Sequence, residues 1–77
     1  MKFLRNHPRR RSVSITDVNW KSADLAIMDF DLTMQGYELA GVRLHLCRDG
    51  TYTARVVWRR RDTGISVVYS EQGLALQ

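Results

Sequence analysis

The stretch from Tyr37 to Arg60 reads YELAGVRLHL-CRDGT-YTARVVWRR, two alternating runs around Asp49-Gly50. Asp-Gly between alternating hydrophobic runs is a strong short-range hairpin signal. It predicts an antiparallel ribbon to which every other segment must adapt. The register follows from the pattern. A two-residue Asp49-Gly50 turn sets Leu44 opposite Arg55, mixing Ala40, Val42, Leu44 and Leu46 with arginines. Shifting the pairing by one residue moves a whole side-chain set to the other face. A three-residue Arg48-Asp49-Gly50 loop, with Gly50 left-handed, pairs Cys47 with Thr51 instead. Leu46 then faces Tyr52, Leu44 faces Ala54, Val42 faces Val56 and Ala40 faces Trp58, making one apolar face. Leu39, Arg43, His45, Thr53, Arg55, Val57 and Arg59 fall on the other.

A chain of 77 residues makes one domain. At this size only about 60% of the unfolded surface is buried, so one sheet layer needs a cover. A short helix, the chain's own tail or a second copy can supply it, and a homodimer is expected, through a sheet edge or face. The formal net charge is +4, but it is unevenly placed. Residues 1–11 hold five of the twelve basic residues and no acid. The remaining seven stand against eight acidic residues, a body at −1. A polybasic arm on a near-neutral body collects polyanions by counterion release; the plain alternative is a solvated tail. One cysteine excludes an internal disulfide and fits a reducing compartment. No apolar run reaches the ~18 residues of a membrane span. Nor does the N-terminal stretch read as a secretory signal. The expected location is the cytoplasm, with no membrane partner.

In chain order, residues 1–11 form a disordered basic arm, because Pro8 biases His7 toward extended geometry. Residues 12–77 form a single β-sheet domain. Ser12 to Trp20 is rich in β-branched residues and predicts a first strand, bulged near Thr16-Asp17. Leu25 to Leu32 alternates and predicts a second strand with Ala26, Met28, Phe30 and Leu32 on one face. A helix is an open alternative for so short a run. In the strand reading Phe30 faces Ala40, and Asp29 lies diagonal to Arg43. The central ribbon follows, then a turn at Arg60 to Gly64 and a last strand through Ile65, Val67 and Tyr69, with Trp58 facing Val67 across a four-residue loop. The tail is expected to fray or to form at most one short helical turn carrying Leu74 and Leu76. The predicted fold is mainly β, a five-stranded antiparallel meander.

Catalytic signatures are missing from the sequence. There is no Gly-rich phosphate loop and no paired-cysteine or His-Glu-x-x-His spacing. Asp29 and Asp31 are two oxygen donors where a hard cation needs more, so no metal is expected. His45 has Thr53 and Cys47 as its neighbours, neither an established catalytic partner, and reads as an exposed strand histidine. Cys47, beside Arg48 at the turn, is either a reactive thiol or, the preferred reading, a small apolar strand residue. No enzyme and no cofactor are expected. Binding has more material. Arg43 faces Arg55, an arrangement that Asp29 and Asp31 or a bound anion must relieve. Arg59, Arg60 and Arg61 extend the row, and guanidinium forks suit phosphate. The expected nucleic-acid contacts are Arg9, Arg10, Arg11, Arg43, Arg55, Arg59, Arg60 and Arg61. The bland alternative is a compensated solvent face whose arginines block edge aggregation. Trp58 and Tyr52 are expected in the core, and no RNP-like aromatic pattern occurs.

ITDV at Ile15 to Val18, GVRL at Gly41 to Leu44, the Asp49-Gly50 turn and the basic RRRDTG at Arg59 to Gly64 follow in order. This pattern resembles the stage V sporulation protein G (SpoVG) family over roughly Ile15 to Tyr69. The resemblance implies a small β-sheet protein that dimerises through its sheet and binds DNA or RNA as a regulator. Its basic turn corresponds to Arg59, Arg60 and Arg61. The chain differs from the family in having Val56-Val57-Trp58 before that turn, in lacking a C-terminal helix beyond Leu74 to Leu76, and in its arginine arm. The first functional expectation is a non-enzymatic nucleic-acid-binding protein. The rival is a protein–protein module, such as a small phage-type inhibitor or assembly subunit, that pairs an edge strand with its partner.

Overall fold

The computed structural model describes residues 13–77, so the basic arm, with Arg9, Arg10 and Arg11, lies outside the described residues. From Ser14 the chain makes a single 3₁₀ turn, Ile15–Asp17, and a two-residue strand β1, Val18–Asn19. Helix α1 follows at Leu25–Met34, then β2 at Tyr37–Leu46, β3 at Tyr52–Arg60 and β4 at Ser66–Leu76. The sheet order is β1-β4-β3-β2, antiparallel throughout. The protein is mainly β, with four strands rather than five.

The missing strand is the helix. Leu25–Met34 alternates well enough to pass for a strand, yet Leu25, Met28 and Leu32 also recur at helical spacing, and these three pack onto the sheet. Asp24 caps the start, its side chain accepting the Ile27 N–H at 3.3 Å. Gly36, at φ 94°, follows the C-cap Gln35 and ends the helix in the left-handed conformation. The outer side carries Ile27, Phe30 and Met34, all exposed. With apolar residues on both sides, the helix shows little amphipathic contrast, which is why its period is hard to read. Phe30 therefore does not face Ala40, and Asp29 does not lie beside Arg43. The Trp58 indole Nε1 instead donates to Asp29 Oδ1 at 2.8 Å, on the covered face.

The central ribbon has the predicted three-residue loop. Cys47 N–H donates to the Thr51 carbonyl at 2.8 Å, and Gly50 sits at φ 88°. Leu46 pairs with Tyr52, Leu44 with Ala54, Val42 with Val56 and Arg43 with Arg55. Asp49 braces the loop by accepting the Thr51 N–H at 3.0 Å and its hydroxyl at 2.6 Å. Those bonds, the hydroxyl's above all, hold the Asp49 carboxyl below its ordinary value. Further along, the pairing slips. Leu39, not Ala40, stands opposite Trp58, and Ala40 is the extra residue of a bulge before Gly41. The bulge changes the parity of the strand, so Tyr37 and Leu39 join Val42 and Leu44 on the covered side.

The tail also departs from expectation. Instead of fraying or coiling, Ser70 to Leu76 continues β4. Tyr52 pairs with Leu74 and Ala54 with Glu71, so β4 carries one residue too many in that interval. Gly73, at φ 71°, absorbs it. Glu71 and Leu74 thus both point to the covered face. Glu71 Oε2 accepts the Lys21 and Ser22 N–H groups at 2.8 and 3.0 Å, and Oε1 accepts the Tyr69 hydroxyl at 2.7 Å. The predicted first strand shrinks to β1 because Trp20 and Asp17 are used otherwise. The Trp20 indole donates to the Ile15 carbonyl at 2.7 Å, and Asp17 Oδ2 accepts the Ser14 N–H at 2.9 Å, closing the 3₁₀ turn.

Two buried groups make the core. Leu25 of α1 packs with Val56 and Trp58 of β3, and Val18 of β1 packs with Ala54 and Leu74, with Val13 against this second group. Everything that covers the sheet is on one side. The other side, built from the alternate residues of β2, β3 and β4, has no layer over it among the described residues.

Candidate anion-binding face

Strand β3 divides the molecule. Ala54, Val56 and Trp58 are fully buried, while of the alternate residues Arg55 and Arg59 are exposed and Val57 is half-buried. Alternation along a strand makes this partition obligatory once one face is buried. Pairing on either side then arranges the open face in cross-strand rows. Arg43, Arg55 and Ser70 form one row. Gly41, Val57 and Val68 form the next, and Glu38, Arg59 and Ser66 the third. His45 and Thr53 flank the first row toward the hairpin loop.

Arg43 and Arg55 are direct cross-strand partners, and both are exposed. Neither makes an ion pair among the described residues, where the ion pairs are Arg60–Asp62 and Arg61–Glu38. Helix formation removes Asp29 and Asp31 from this face, so the acids expected to balance the two arginines are elsewhere. Like charges directly opposite on a sheet repel, by an amount within ~0.2–1 kcal/mol. The pair is therefore a standing electrostatic deficit that an anion relieves.

The three arginines of the basic turn separate. Arg59 joins the open face, level with Glu38. Arg60 points to the covered side, where its guanidinium lies 5.8 Å from the Tyr37 ring centre. Its Nε and Nη2 donate to the two Asp62 oxygens at 3.1 and 3.0 Å, a bidentate fork. The same contact raises the Arg60 pKa and lowers that of Asp62. Arg61 is exposed and donates to Glu38 Oε1 at 3.3 Å. Of the five expected contacts within the described residues, Arg43, Arg55 and Arg59 share a face, and Arg60 and Arg61 are engaged locally.

Cys47 Sγ lies 3.5 Å from Thr53 Oγ1 and donates to the His45 carbonyl at 3.9 Å, and no hydrogen bond reaches the His45 imidazole among the described residues. No group of three or more metal-binding side chains occurs among the described residues. An open cleft lies between the 3₁₀ turn and the start of α1, with Lys21 and Asp24 as its charged lining, and Asp24 is already the helix cap. No described aromatic side chain stands in the three rows. Trp20, Tyr37, Trp58 and Tyr69 pack in the core layer, Tyr52 pairs with Leu74, and Phe30 lies on the helix exterior. No helix among the described residues is long and apolar enough to cross a membrane.

No family model matches the chain, and no curated protein or solved structure matches it at a significant level.

Proposed function

We propose that the protein binds nucleic acid, without catalysing a reaction on it, by holding phosphates on the open face of the sheet. The observation that carries this reading is the facing pair Arg43 and Arg55, exposed and without a carboxylate partner among the described residues. Two guanidinium forks at one level of the sheet offer up to ten donors, each fork planar. Arg59 extends the contact along β3, and the arm residues Arg9, Arg10 and Arg11 add sequence-independent charge. Arg60 and Arg61 play a lesser part, because their ion pairs must loosen before they reach a phosphate. Among the described residues the open face carries no Trp, Tyr or Phe, and His45 is its one aromatic ring, so contact is mainly with the backbone rather than the bases.

The test is fluorescence anisotropy with a labelled oligonucleotide across a salt series. Affinity is expected to fall steeply with salt, and the Arg43→Ser/Arg55→Ser double variant to lower the salt slope by about 2. A flat salt response, or equal binding by the variant, removes this reading. The second reading is β-augmentation of a partner protein. What favours it is the outer edge of β4 over Ser66 to Ser70, flanked by exposed Ile65 and Val68. Nuclease-resistant capture of one protein, lost when Val68→Pro blocks that edge, is its expected signature.

A further inference from the structure

Strand β2 ends the sheet, and its outer edge runs the full length of the strand. The direction of its backbone groups can be derived. Cys47 and Thr51 are a hydrogen-bonded pair. Such pairs alternate along an antiparallel ladder, so His45 and Arg43 also bond to β3. Val42, Leu44 and Leu46 therefore aim their N–H and C=O groups outward. Edge strands are normally blunted by proline, charged side chains, extreme shortness, bulges or a charge turned inward. Over Gly41 to Leu46 this edge has no proline, no lysine and no inward charge; its guards are Arg43 on the open face and the bulge at Ala40, and Leu46, on the covered face, is 60% exposed.

We infer that two copies of the chain join β2 to β2 in antiparallel fashion about a twofold axis at Leu44. Only even register sums bring two outward-facing residues together. Centring on Leu44 pairs Leu44 with itself and Val42 with Leu46 of the second copy, using all three outward residues of each strand. It also covers Leu46. Centring on Arg43 would oppose two arginines at the narrow spacing of ~4.5 Å. Centring on Val42 or on His45 wastes outward groups on the bulge or the loop. A twofold interface must be self-complementary, and this one is.

The other free edge does not compete on equal terms. On β4, β1 occupies Ala75 and Leu76, and the Lys21 and Ser22 amides hold Glu71. A copy paired there about Val68 would bring its Arg61 to Gly64 turn level with Gln72 to Ala75, into β1. At the β2 edge the copy's Arg48 to Gly50 loop comes level with Glu38 to Ala40, where no further strand pairs. Pairing it leaves both open faces on the same side of one continuous sheet, so the inference stands whether or not that face binds nucleic acid.

The register sets Gly41 opposite Cys47 of the second copy, in a non-hydrogen-bonded pair. The Cα spacing of such pairs, about 4.5 Å, lies within disulfide range. A Cβ at Gly41 meets no heavy atom within 4 Å, and Gly41 does not have a positive φ, so cysteine fits there. Within one chain the two positions are six residues apart along the strand, about 20 Å, and cannot bridge. The experiment takes the full chain without nucleic acid. Sedimentation is expected to give twice the 8.9 kDa chain mass. Mild oxidation of Gly41→Cys is expected to give a covalent dimer that vanishes in Gly41→Cys/Cys47→Ser. A monomer mass at tens of micromolar, a folded Gly41→Cys that fails to cross-link, or a cross-link that survives loss of Cys47 would each overturn the inference.

Discussion

The indole of Trp58 and the carboxylate of Asp29 tie sheet to helix through one hydrogen bond of 2.8 Å. Trp58 is fully buried in the intact fold, and its N–H loses its protein partner if Asp29 is lost. Asp29→Ala is expected to destabilise the fold by about 1–3 kcal/mol, the cost of an orphaned buried donor. Asp29→Asn keeps an acceptor and should cost less than half as much. Urea midpoints at constant slope measure both.

The two glycines at irregular points of the strands should respond oppositely to alanine. Gly73 sits at φ 71° and needs the left-handed region. Gly73→Ala is expected to cost about 1–2 kcal/mol. Gly41 lacks a positive φ and has open space where a Cβ would go. Gly41→Ala should be neutral or stabilising by about 0.4–1 kcal/mol, through the unfolded chain. Thermal melts of the two variants side by side decide the matter.

The hairpin was legible because its turn chemistry and its alternation agree. Asp49-Gly50 and the apolar set Val42, Leu44, Leu46 admit one register, and that register is present from Val42 to the loop. Leu25–Met34 was not legible as a helix from alternation, since Met28 and Leu32 satisfy both periods and Phe30 is apolar yet exposed. The usable signals were at its ends, Asp24 as cap and Gly36 as stop. Bulges at Ala40 and Gly73 hid the parity of Leu39 and the tail, because each flips every side chain beyond it. At the candidate face, Arg43 opposite Arg55 was readable from pairing. That Arg60 turns to the covered side follows from parity too. Its fork to Asp62 needed the geometry of the turn.

Glu71 gives the fold a dependence on pH. Burial opposes its charge, but the Tyr69 hydroxyl and the Lys21 and Ser22 amides outweigh it and hold the carboxyl below its ordinary value. Its contribution is present above the unfolded carboxylate pKa of about 4.3 and is lost as pH falls through the lower folded value. The hydrogen bond to Glu71 raises Tyr69 above the ordinary phenol value. That contribution is present below about pH 10 and is lost as pH rises through the raised value. Glu71→Gln should lower the melting temperature by a few degrees at neutral pH and flatten both limbs. Melting curves at pH 3–7 and 9–11 measure the difference.

Arg43 should trade stability against binding. Arg43→Thr removes the like charge opposite Arg55 and places a good strand former at the edge. The free protein is expected to gain a few tenths of a kcal/mol, within the ~0.2–1 kcal/mol range of cross-strand pairs. Affinity for an oligonucleotide at low salt should fall several-fold at the same time, with the salt slope reduced by about 1. Calorimetry and anisotropy on the same preparation read the two effects.

The left-handed glycine near the end of β4 acts as a phase corrector for the C terminus. Upstream of it, odd-numbered Val67, Tyr69 and Glu71 turn inward; downstream, even-numbered Leu74 does, beside a Leu76 aligned with Val18. The closing leucines are thus indexed to Gly73 rather than to the hairpin. A regular ladder that kept Gly73 but lost the bulge would rotate the final segment half a turn, exchanging Leu74 for Ala75 at the base of the core and unfastening β1 with it.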